Sequence, residues 1–366
     1  MAPSRPDHDP RPAAPAPAGD AGRPGSGTAR PEHTGDTPAA PERSPEADPA
    51  PAPVAVPEAD AAKAALFDEQ RPRMLGLAYR MLGSAAEAED AVQDAYLRWN
   101  AADTAAVRVP AAWLTKVVTN LCLNRLTSAQ ATRESYIGPW LPEPVLIDDG
   151  ALGPLETAEQ RDSVSVGVLV VLERLTPPER AVFVLREAFG HTHREIADLL
   201  DVGEDHSRQL LRRAREHVNA PRRRFAADTA QQRRIVERFF AATVQGDVRA
   251  LERMLAEDAV AWSDGGGATR AARRPISGRA KVARYLAAVA ALPEAEGLRA
   301  EAAEVNGESA GVLRIGGELI GVVWLEADSG GRVAAVRAVL NPGKLAYFAS
   351  QTGTGAHGDA DGAPAD

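Results

Sequence analysis

Apolar residues recur at helical spacing along most of the chain between residues 59 and 218. The pattern predicts one helix from about Ala59 to Leu82, a second from Ala85 to about Asn100 and a third from Ala111 to about Ser128. A fourth is predicted from about Glu156 to Leu175. Each helix gathers its apolar residues on one stripe, so this part of the chain is predicted to be all-α, with its helices packed against one another.

Start and stop signals divide residues 176–218 into three short helices. Thr176 and Thr192 each precede a helix and are followed three residues later by glutamate, which is the arrangement of a capping box. The last helix is predicted from about Glu204 to Val218, after a break at 201–203. Two short helices joined by a tight turn that contains glycine are typical of a helix-turn-helix motif.

From about residue 231 the pattern changes to helices followed by strands. Three helices are predicted, at about 235–246, from Asp247 onward, and at 279–291, with a short strand at 259–263. Three further strands are predicted at about 310–315, 318–327 and 332–340, and the glycine pairs between them suit hairpins. This order indicates an α+β domain that ends in an antiparallel meander.

Charge is distributed unevenly along the chain. The chain has a net charge of −9, yet residues 204–224 hold seven arginines against three acidic residues, a local net charge of +4. A basic helix in a helix-turn-helix motif suits nucleic acid, whereas a solvated arginine-rich face is the simpler alternative.

Composition excludes several classes of protein. The single cysteine, Cys122, excludes a disulfide framework and a cysteine-based metal site. No metal and no cofactor is expected. The longest apolar run, 164–172, is too short to span a bilayer, and a cytoplasmic location is expected. Residues 1–58 hold 15 of the 28 prolines and almost no large apolar residue, so this segment and 351–366 are predicted to be disordered.

The helix-turn-helix segment resembles a known family. Residues 161–220, with LTPPERAVFVLRE and REIADLL, are similar to region 4 of bacterial RNA polymerase sigma factors of the extracytoplasmic-function (ECF) type. The resemblance implies that the last helix reads the −35 promoter element. The residues expected at that element are Ser207, Arg208, Gln209, Arg212 and Arg213. At the start of this helix Gly203-Glu204-Asp205 stands where family members often have Ser or Thr.

The first helices resemble region 2 of the same family. AEDAVQDAYLRW is similar to its polymerase-binding helix and PAAWLTKVVTNLCLNRL to its promoter-melting helix. The resemblance implies that Asp90, Gln93 and Asp94 bind core RNA polymerase, although a solvated acidic face is the alternative. The residues expected at the −10 element are Trp113, Asn120, Asn124 and Arg125, where an aromatic ring could stack on an exposed base. Trp113 could equally be a core residue.

Three short motifs resemble the ECF factors that carry a fused SnoaL-like domain, a curved sheet wrapped on helices around a cone-shaped pocket. They are WLPEP in the linker, DGGG after the short strand and NPGKL near the end, and a loop at NPGKL with Tyr347-Phe348 is expected to pack near the linker. The residues expected to make regulatory contacts are Trp140, Leu141, Pro142, Glu143, Pro144, Asp264, Gly265, Gly266, Asn341, Pro342, Lys344 and Leu345. An unknown small molecule could bind in the cone.

The predicted fold is therefore multidomain, with two all-α sigma domains before an α+β cone domain. The predicted boundaries are a tail at 1–58, region 2 at 59–130, a linker at 131–160, region 4 at 161–224, the SnoaL-like domain at 231–350 and a tail at 351–366. The expected function is promoter-specific transcription initiation with regulation in cis and without catalysis. Two alternatives stay open: a one-component ligand-responsive regulator, and a DNA-tethered isomerase in which Asp264 acts as acid or base.

Overall fold

The computed structural model describes residues 58–134, 136–147, 152, 163–218 and 229–353. All of them belong to one compact unit of the chain. The predicted tails lie outside the described residues except for Glu58 and for 351–353. The first part of the predicted helix 156–175 and the arginines 222–224 also lie outside them.

Three helices form the first part: α1 (Glu58–Leu82), α2 (Ala85–Ala101) and α3 (Pro110–Glu134), with a 3₁₀ turn at Thr104–Ala106. Helix α1 ends where Gly83 adopts a left-handed φ of 68°, and the Ser84 side chain then accepts a hydrogen bond from the Glu87 N–H. The predicted first residues of these three helices are correct within one residue, and α3 extends six residues beyond its predicted end.

Four helices follow the linker: α4 (Val166–Leu172), α5 (Pro177–Glu187), α6 (His193–Leu200) and α7 (Glu204–Val218). Both predicted capping boxes are present, at Thr176 and Thr192. The prediction of one continuous helix that ends at Leu175 is wrong for residues 163–175, which the structure describes. The helix begins only after Ser165, whose side chain accepts a hydrogen bond from Val168, and it ends at Leu172 in a turn before Pro177.

Helices α1–α3 and α5–α7 share one apolar core rather than two separate ones. Met81, Trp99 and Leu114 of the first group lie in the same cluster as Leu185 and Ile196 of the second, and all five side chains are buried. Burial of each such side chain stabilises the fold by about 1.5–3 kcal/mol, so the two groups of helices are bound to each other mainly by apolar contact.

The remaining described residues form the α+β domain. Its helices are α8 (Thr229–Val244), α9 (Val248–Met254), α10 (Arg279–Ala290) and α11 (Pro342–Gln351). Its strands are β1 (Leu255–Asp264), β2 (Ile276–Ser277), β3 (Arg299–Val305), β4 (Glu308–Ile315), β5 (Glu318–Ala327) and β6 (Val333–Val339). They form one sheet in the order β2-β1-β6-β5-β4-β3, in which only the β1–β6 pair is parallel.

The structure corrects three details of this domain. Strand β1 begins at Leu255, four residues before its predicted start, and β2 and β3 were not predicted. The NPGKL segment is not a loop: it begins α11, with Asn341 as N-cap accepting a hydrogen bond from Gly343 and Pro342 at the first helical position.

Aromatic side chains of α8 pack on the curved sheet. Phe239 and Phe240 lie in one apolar cluster with Leu313 of β4 and Val323 of β5. A Cβ atom on Gly311 would lie 2.0 Å from the Phe240 ring, so only glycine fits at that point of β4.

Candidate functional site

The exposed face of α7 carries most of the residues predicted for the −35 element. Arg208, Gln209, Arg212 and Arg213 are all exposed. Ser207 is not: its side chain is buried and its hydroxyl lies 3.0 Å from Nδ1 of His193. Ser207 therefore packs α7 against α6 and is removed from the candidate DNA face.

Acidic neighbours pair with two of these arginines. Arg208 lies 2.5 Å from Glu204 and 2.9 Å from Asp205, and Arg212 lies 3.8 Å from Glu216. Exposed ion pairs of this kind contribute about 0–1 kcal/mol, so a DNA phosphate can displace the carboxylates at little cost.

The residues predicted for polymerase and for the −10 element lie on α2 and α3. Asp90 and Gln93 are exposed, whereas Asp94 accepts a 2.7 Å charged hydrogen bond from Arg125. That ion pair joins one residue predicted to bind polymerase to one predicted to bind the promoter. Asn124 is exposed and Asn120 is half-buried.

Trp113 has one side in the protein core. Its ring lies 5.5 Å from that of Trp99, and both the core and the promoter interpretation of Trp113 are therefore compatible with its half-buried position. It also lines a cavity of about 770 Å³ between α3 and α6, together with Lys116, His191 and Leu199. Burial lowers the pKa of His191 below its usual value.

Lys116 connects α3 directly to the helix-turn-helix. Its Nζ donates to the backbone oxygen of Asp198 at 2.9 Å and to Oδ1 of Asp201 at 2.8 Å. The first oxygen belongs to the last turn of α6, where the helix dipole favours a cation, and Asp201 is the left-handed residue that ends the helix. The N-terminal half of α3 therefore lies beside α6 and is bonded to its C-terminal end.

Residues 136–147, called here the linker segment, lie between the first helices and the α+β domain. Glu143 of this segment is buried against the N-terminus of α2. Its Oε1 accepts a 2.8 Å hydrogen bond from Ser84, and its Oε2 accepts from the N–H groups of Ala85 at 2.7 Å and Ala86 at 3.2 Å. A carboxylate from the linker thus satisfies N–H groups that the helix leaves unpaired.

Burial raises the pKa of Glu143 above its usual value, and the hydrogen bonds from Ser84 and from the two N–H groups oppose that rise. Desolvation is therefore the larger effect at this carboxyl group. The linker backbone adds further bonds to the same helices, since Glu143 N–H donates to Gly83 at 2.9 Å and Tyr79 donates to the Glu143 oxygen at 2.6 Å.

Asp264 fixes the other side of the linker segment to the α+β domain. It is fully buried at the end of β1, where Oδ1 accepts a 2.5 Å hydrogen bond from Tyr136 and Oδ2 accepts one of 2.8 Å from the Leu141 N–H. Lys344 of α11 also donates to Oδ2, at 2.7 Å. Burial raises the pKa of Tyr136, and its hydrogen bond to Asp264 adds to the rise.

Lys344 is buried between the linker and β1. It donates to the Leu141 carbonyl at 2.5 Å, and its Nζ lies 4.0 Å from the centre of the Trp140 ring and 4.9 Å from that of Tyr136. Asn341 donates to the Tyr136 hydroxyl at 3.0 Å. The three motifs therefore meet: WLPEP supplies the ring and the backbone, DGGG the carboxylate and NPGKL the cation.

Close packing explains the glycines of DGGG and the apolar motif residues. A Cβ on Gly265 would lie 2.7 Å from the Thr269 oxygen, and one on Gly266, whose φ is +59°, would lie 2.2 Å from Asn341. Leu141 and Leu345 are buried in one apolar cluster with Val166 and Phe348. Of the prolines, Pro142 and Pro144 are buried and Pro342 is exposed.

Asn306 at the β3–β4 turn was not among the predicted site residues. It is buried, with a left-handed φ of 57°, and its Nδ2 donates to the Tyr79 hydroxyl at 2.6 Å and to the Val164 oxygen at 2.9 Å. Its backbone N–H and its Oδ1 bond to Val145 at 2.9 and 3.2 Å. One residue thus binds α1, the linker and the segment just before α4. The Asn306-Gly307 pair is a hairpin signal that could have located this turn.

Gln351 is a second residue that the sequence did not indicate. Its side chain exchanges two hydrogen bonds with the Leu146 backbone, accepting at 2.8 Å and donating at 3.3 Å. The sequence did not indicate Tyr136 or Tyr79 either. Tyr136 lies in an irregular segment and Tyr79 in an apolar helix, and no sequence pattern there predicts the hydrogen bonds of their hydroxyl groups.

Metal sites and membrane spans were searched over the part of the chain that the structure describes. There, no group of three or more His, Cys, Asp or Glu side chains could coordinate a metal ion, and no helix is long and apolar enough to cross a bilayer. Cys122 is buried in α3, and burial raises the pKa of its thiol to about 12.

Comparison with known proteins gives three family matches along the chain. Residues 66–132 match Sigma-70 region 2, residues 166–218 match Sigma-70, region 4, and residues 236–341 match a SnoaL-like domain.

Two curated proteins from Mycobacterium tuberculosis are similar. The chain is 38% identical to the ECF RNA polymerase sigma factor SigJ over 221 residues, which are 60% of this chain and 70% of that protein. It is 33% identical to the probable ECF RNA polymerase sigma factor SigI over 193 residues, 52% of this chain and 66% of that protein.

A solved structure is similar as well. The crystal structure of the SigJ factor from Mycobacterium tuberculosis superposes with a TM-score of 0.61 at 30% identity, over 77% of this chain and 98% of that one.

Proposed function

The chain belongs to the ECF RNA polymerase sigma factors, and on that premise we propose that its SnoaL-like domain inhibits promoter binding in cis. Sigma factors bind core RNA polymerase and promoter DNA, and this chain is a transcription initiation factor of that kind. The single observation that carries the proposal is that α3, the helix similar to the promoter-melting helix, faces other parts of the same chain along both of its halves.

The N-terminal half of α3 faces α6, through Lys116 and the cavity beside Trp113. The C-terminal half lines a second cavity, of about 620 Å³, with Asn124 and Arg125 on one side and Trp140 and Lys344 on the other. DNA that reached this face would have to displace region 4 from one half and the linker from the other.

The spacing of the promoter elements also requires regions 2 and 4 to separate. The −35 and −10 elements are, by their names, about 25 base pairs apart, which is on the order of 85 Å along duplex DNA at about 3.4 Å per base pair. Two helical groups that share one apolar core cannot contact both elements. The described arrangement is therefore a closed one, and promoter binding needs an open one.

The SnoaL-like domain stabilises the closed arrangement through the linker segment. The linker is bound to α2 by Glu143 and to the domain by Asp264 and Lys344. Asn306 bonds to region 2, to the linker and to the segment just before α4. Because an equilibrium shifts only by the free energy that separates its two states, these contacts set how seldom the chain opens.

In the open state each predicted site has a defined task. We assign polymerase binding to Asp90, Gln93 and Asp94, and −10 contacts to the residues Trp113, Asn120, Asn124 and Arg125. We assign −35 contacts to Arg208, Gln209, Arg212 and Arg213. Since Asp94 and Arg125 neutralise each other in the closed state, polymerase that binds Asp94 would free Arg125 for DNA.

The alternative functions fit the site less well. Asp264 is fully buried and its two oxygens accept bonds from Tyr136, Leu141 and Lys344, which leaves no face for a substrate, so acid–base catalysis there is disfavoured. A one-component regulator would not need the region 2 helices. A small molecule in the cone stays a prediction, and the proposal does not depend on it.

Run-off transcription with purified core polymerase tests the proposal. The full chain is compared with a chain cut after Leu340, which lacks α11 and Lys344, and with one cut after Arg224, on a promoter selected from genomic fragments. We expect promoter-specific transcript from the full chain and more from the chain cut after Leu340. Equal or lower activity of that chain contradicts inhibition in cis, and absence of transcript from every form contradicts the assigned function.

A further inference from the structure

The SnoaL-like domain contains a long run of basic residues without a single acid. Residues 265–293 include no Asp or Glu, in a chain whose net charge is −9. The basic residues of this run are Arg270, Arg273, Arg274, Arg279, Lys281 and Arg284. Their local charge of +6 exceeds the +4 of residues 204–224, which include α7. None of the motifs considered above accounts for it.

Five of these side chains lie on the two segments that flank the edge strand β2. Arg270, Arg273 and Arg274 are exposed in the loop between β1 and β2. Lys281 and Arg284 are exposed one turn apart on α10, whose opposite face buries Val282 and Ala283 against the sheet. These five residues are called here the basic surface: Arg270, Arg273, Arg274, Lys281 and Arg284.

The basic surface has no internal counterions among the residues that the structure describes. None of its five side chains makes a hydrogen bond or an ion pair with another described residue. Arg279 differs, because it donates to the Leu255 oxygen at 3.1 Å and lies 3.9 Å from Glu257. Solvated surfaces usually intersperse both signs of charge, and a patch of one sign is typical of a surface that binds a polyanion.

The composition of the surface favours duplex over single-stranded nucleic acid. Single strands are bound by aromatic rings that stack on bases, as well as by cations. The one aromatic residue of the run, Tyr285, is half-buried, and its hydroxyl lies 3.1 Å from that of Ser263. Cations without stacking rings contact phosphates and carry no base preference.

We propose that the basic surface binds the backbone phosphates of duplex DNA without sequence preference. A sigma factor brings this domain to promoter DNA on the same chain, so the effective concentration of DNA phosphates around the surface is high. Such binding is separate from regulation in cis and can be measured without transcription.

The loop also touches the linker segment. A Cβ on Gly267 would lie 2.9 Å from the Ile137 side chain, and Arg270 and Arg273 line a cavity of about 300 Å³ together with Ile137 and Gly138. DNA bound at the loop would therefore lie next to the segment that the SnoaL-like domain binds in the closed state.

Salt-dependent binding of the full chain to a duplex of about 40 base pairs without a promoter tests the proposal. Each phosphate contact contributes about 0.9 to the slope of log affinity against log salt. With all five residues of the basic surface changed to Gln, we expect the slope to fall by about 2–4 and the affinity near 100 mM salt to fall at least tenfold. Fluorescence anisotropy measures both quantities.

A matched variant controls for net charge. It changes five exposed arginines of the same domain that lie outside the basic surface to Gln: Arg238, Arg249, Arg253, Arg299 and Arg332. We expect its slope of log affinity against log salt to differ from that of the unchanged chain by less than about one. Equal losses in the two variants, or an unchanged slope in the first, would overturn the proposal, because either result means that binding is not located at the basic surface.

A second measurement does not depend on a fivefold variant that folds. Ala280 is exposed on α10 and Cys122 is buried, so Ala280→Cys gives one reactive thiol for an iron chelate that cleaves nearby DNA. In complex with core polymerase on promoter DNA we expect cleavage of the duplex by this chelate. The same chelate at His217→Cys, at the exposed end of α7, is the positive control. Cleavage from His217→Cys alone would overturn the proposal.

Discussion

The linker segment is bound on its two sides by buried carboxylates that are stabilised in different ways. On the side of region 2, Glu143 reaches out of the linker and accepts bonds from one hydroxyl and two backbone N–H groups. On the side of the SnoaL-like domain, Asp264 reaches into the linker and accepts bonds from Tyr136, Leu141 and the ammonium of Lys344. One contact uses a helix end and the other an ion pair.

The difference indicates which contact is harder to break. Separation at Asp264 leaves its ion pair with Lys344 within the SnoaL-like domain but breaks the bonds from Tyr136 and Leu141 to Asp264 and the bond from Lys344 to the Leu141 oxygen. Hydrogen bonds to charged groups contribute about 1.5–3 kcal/mol each. Separation at Glu143 returns a carboxylate to water, and the raised pKa of Glu143 means that burial already disfavours its charged form. We therefore expect the linker to leave region 2 before it leaves the SnoaL-like domain.

The largest effect is expected from Asp264→Asn. The substitution keeps the shape but leaves the Lys344 ammonium buried without its counterion, and we expect a destabilisation of the closed state by about 3 kcal/mol. That value corresponds to more than a hundredfold shift toward the open state. Run-off transcription should rise, and the urea midpoint should fall. Asp258→Asn, at an exposed position of the same strand, is the control. If the variant is folded and transcription is unchanged, the Asp264 contact does not hold the closed state.

Asn306 bonds both to the linker and to region 2. Asn306→Gly is therefore expected to have the second largest effect. The substitution leaves the Val164 oxygen and the Val145 N–H without a side-chain partner, at a cost of about 2 kcal/mol. Asn306→Ala should cost about 1 kcal/mol more, because alanine strains the left-handed backbone that glycine accepts. Urea unfolding of both variants measures these costs. Equal values for Ala and Gly would mean that the turn relaxes.

A third prediction concerns the pH dependence of the Glu143 contact. Because the pKa of Glu143 is raised in the folded state, the folded chain binds the proton more tightly than the unfolded chain. The contribution of Glu143 to stability is therefore largest below the ordinary glutamate pKa and falls as the pH rises through the folded-state pKa.

Glu143→Gln should remove this dependence and cost only about 1 kcal/mol near neutral pH, less than Glu143→Ala. Urea midpoints of the unchanged chain and of the Gln variant between about pH 4 and 7 test this, and parallel profiles would contradict it.

The smallest effect is expected at the contact between α3 and α6. Asp201 and Lys116 form an exposed ion pair, with side chains that are 78% and 38% accessible, so Asp201→Asn should cost less than about 1 kcal/mol. We expect transcription to rise less than fivefold and the rise to vanish in high salt. Asp258→Asn, at an exposed position of β1, makes the same change in charge without touching the pair. An effect larger than that of Asp264→Asn would reverse the order of the contacts.

Most of the helices could be predicted from the sequence because their signals are local. The capping boxes at Thr176 and Thr192 lie within four residues and are present as predicted. The strands β2 and β3 lack such signals. Strand β2 has two residues and pairs across a long loop, and β3 consists mostly of alanine and glutamate, residue types that favour helices.

The contacts of the site were harder to predict than its motifs. The resemblance indicated that WLPEP, DGGG and NPGKL belong together, and the structure brings Trp140, Asp264 and Lys344 into contact. No sequence rule identifies Tyr136 as a partner of Asp264, from which it is 128 residues away along the chain. No rule predicts either that Ser207, a polar residue of α7, is buried against His193. Such pairings depend on how whole domains pack.

The position of Lys344 in the chain has a consequence for the order in which the protein is made. Synthesis adds about 5–20 residues per second, and Val218, the last residue of α7, precedes Lys344 by 126 residues. Regions 2 and 4 are therefore complete for roughly 6–25 seconds before the ribosome adds the cation that Asp264 requires. Under the proposed inhibition in cis, a newly made molecule would pass through an uninhibited period, and each round of translation would supply a brief pulse of factor that could meet polymerase before it closes.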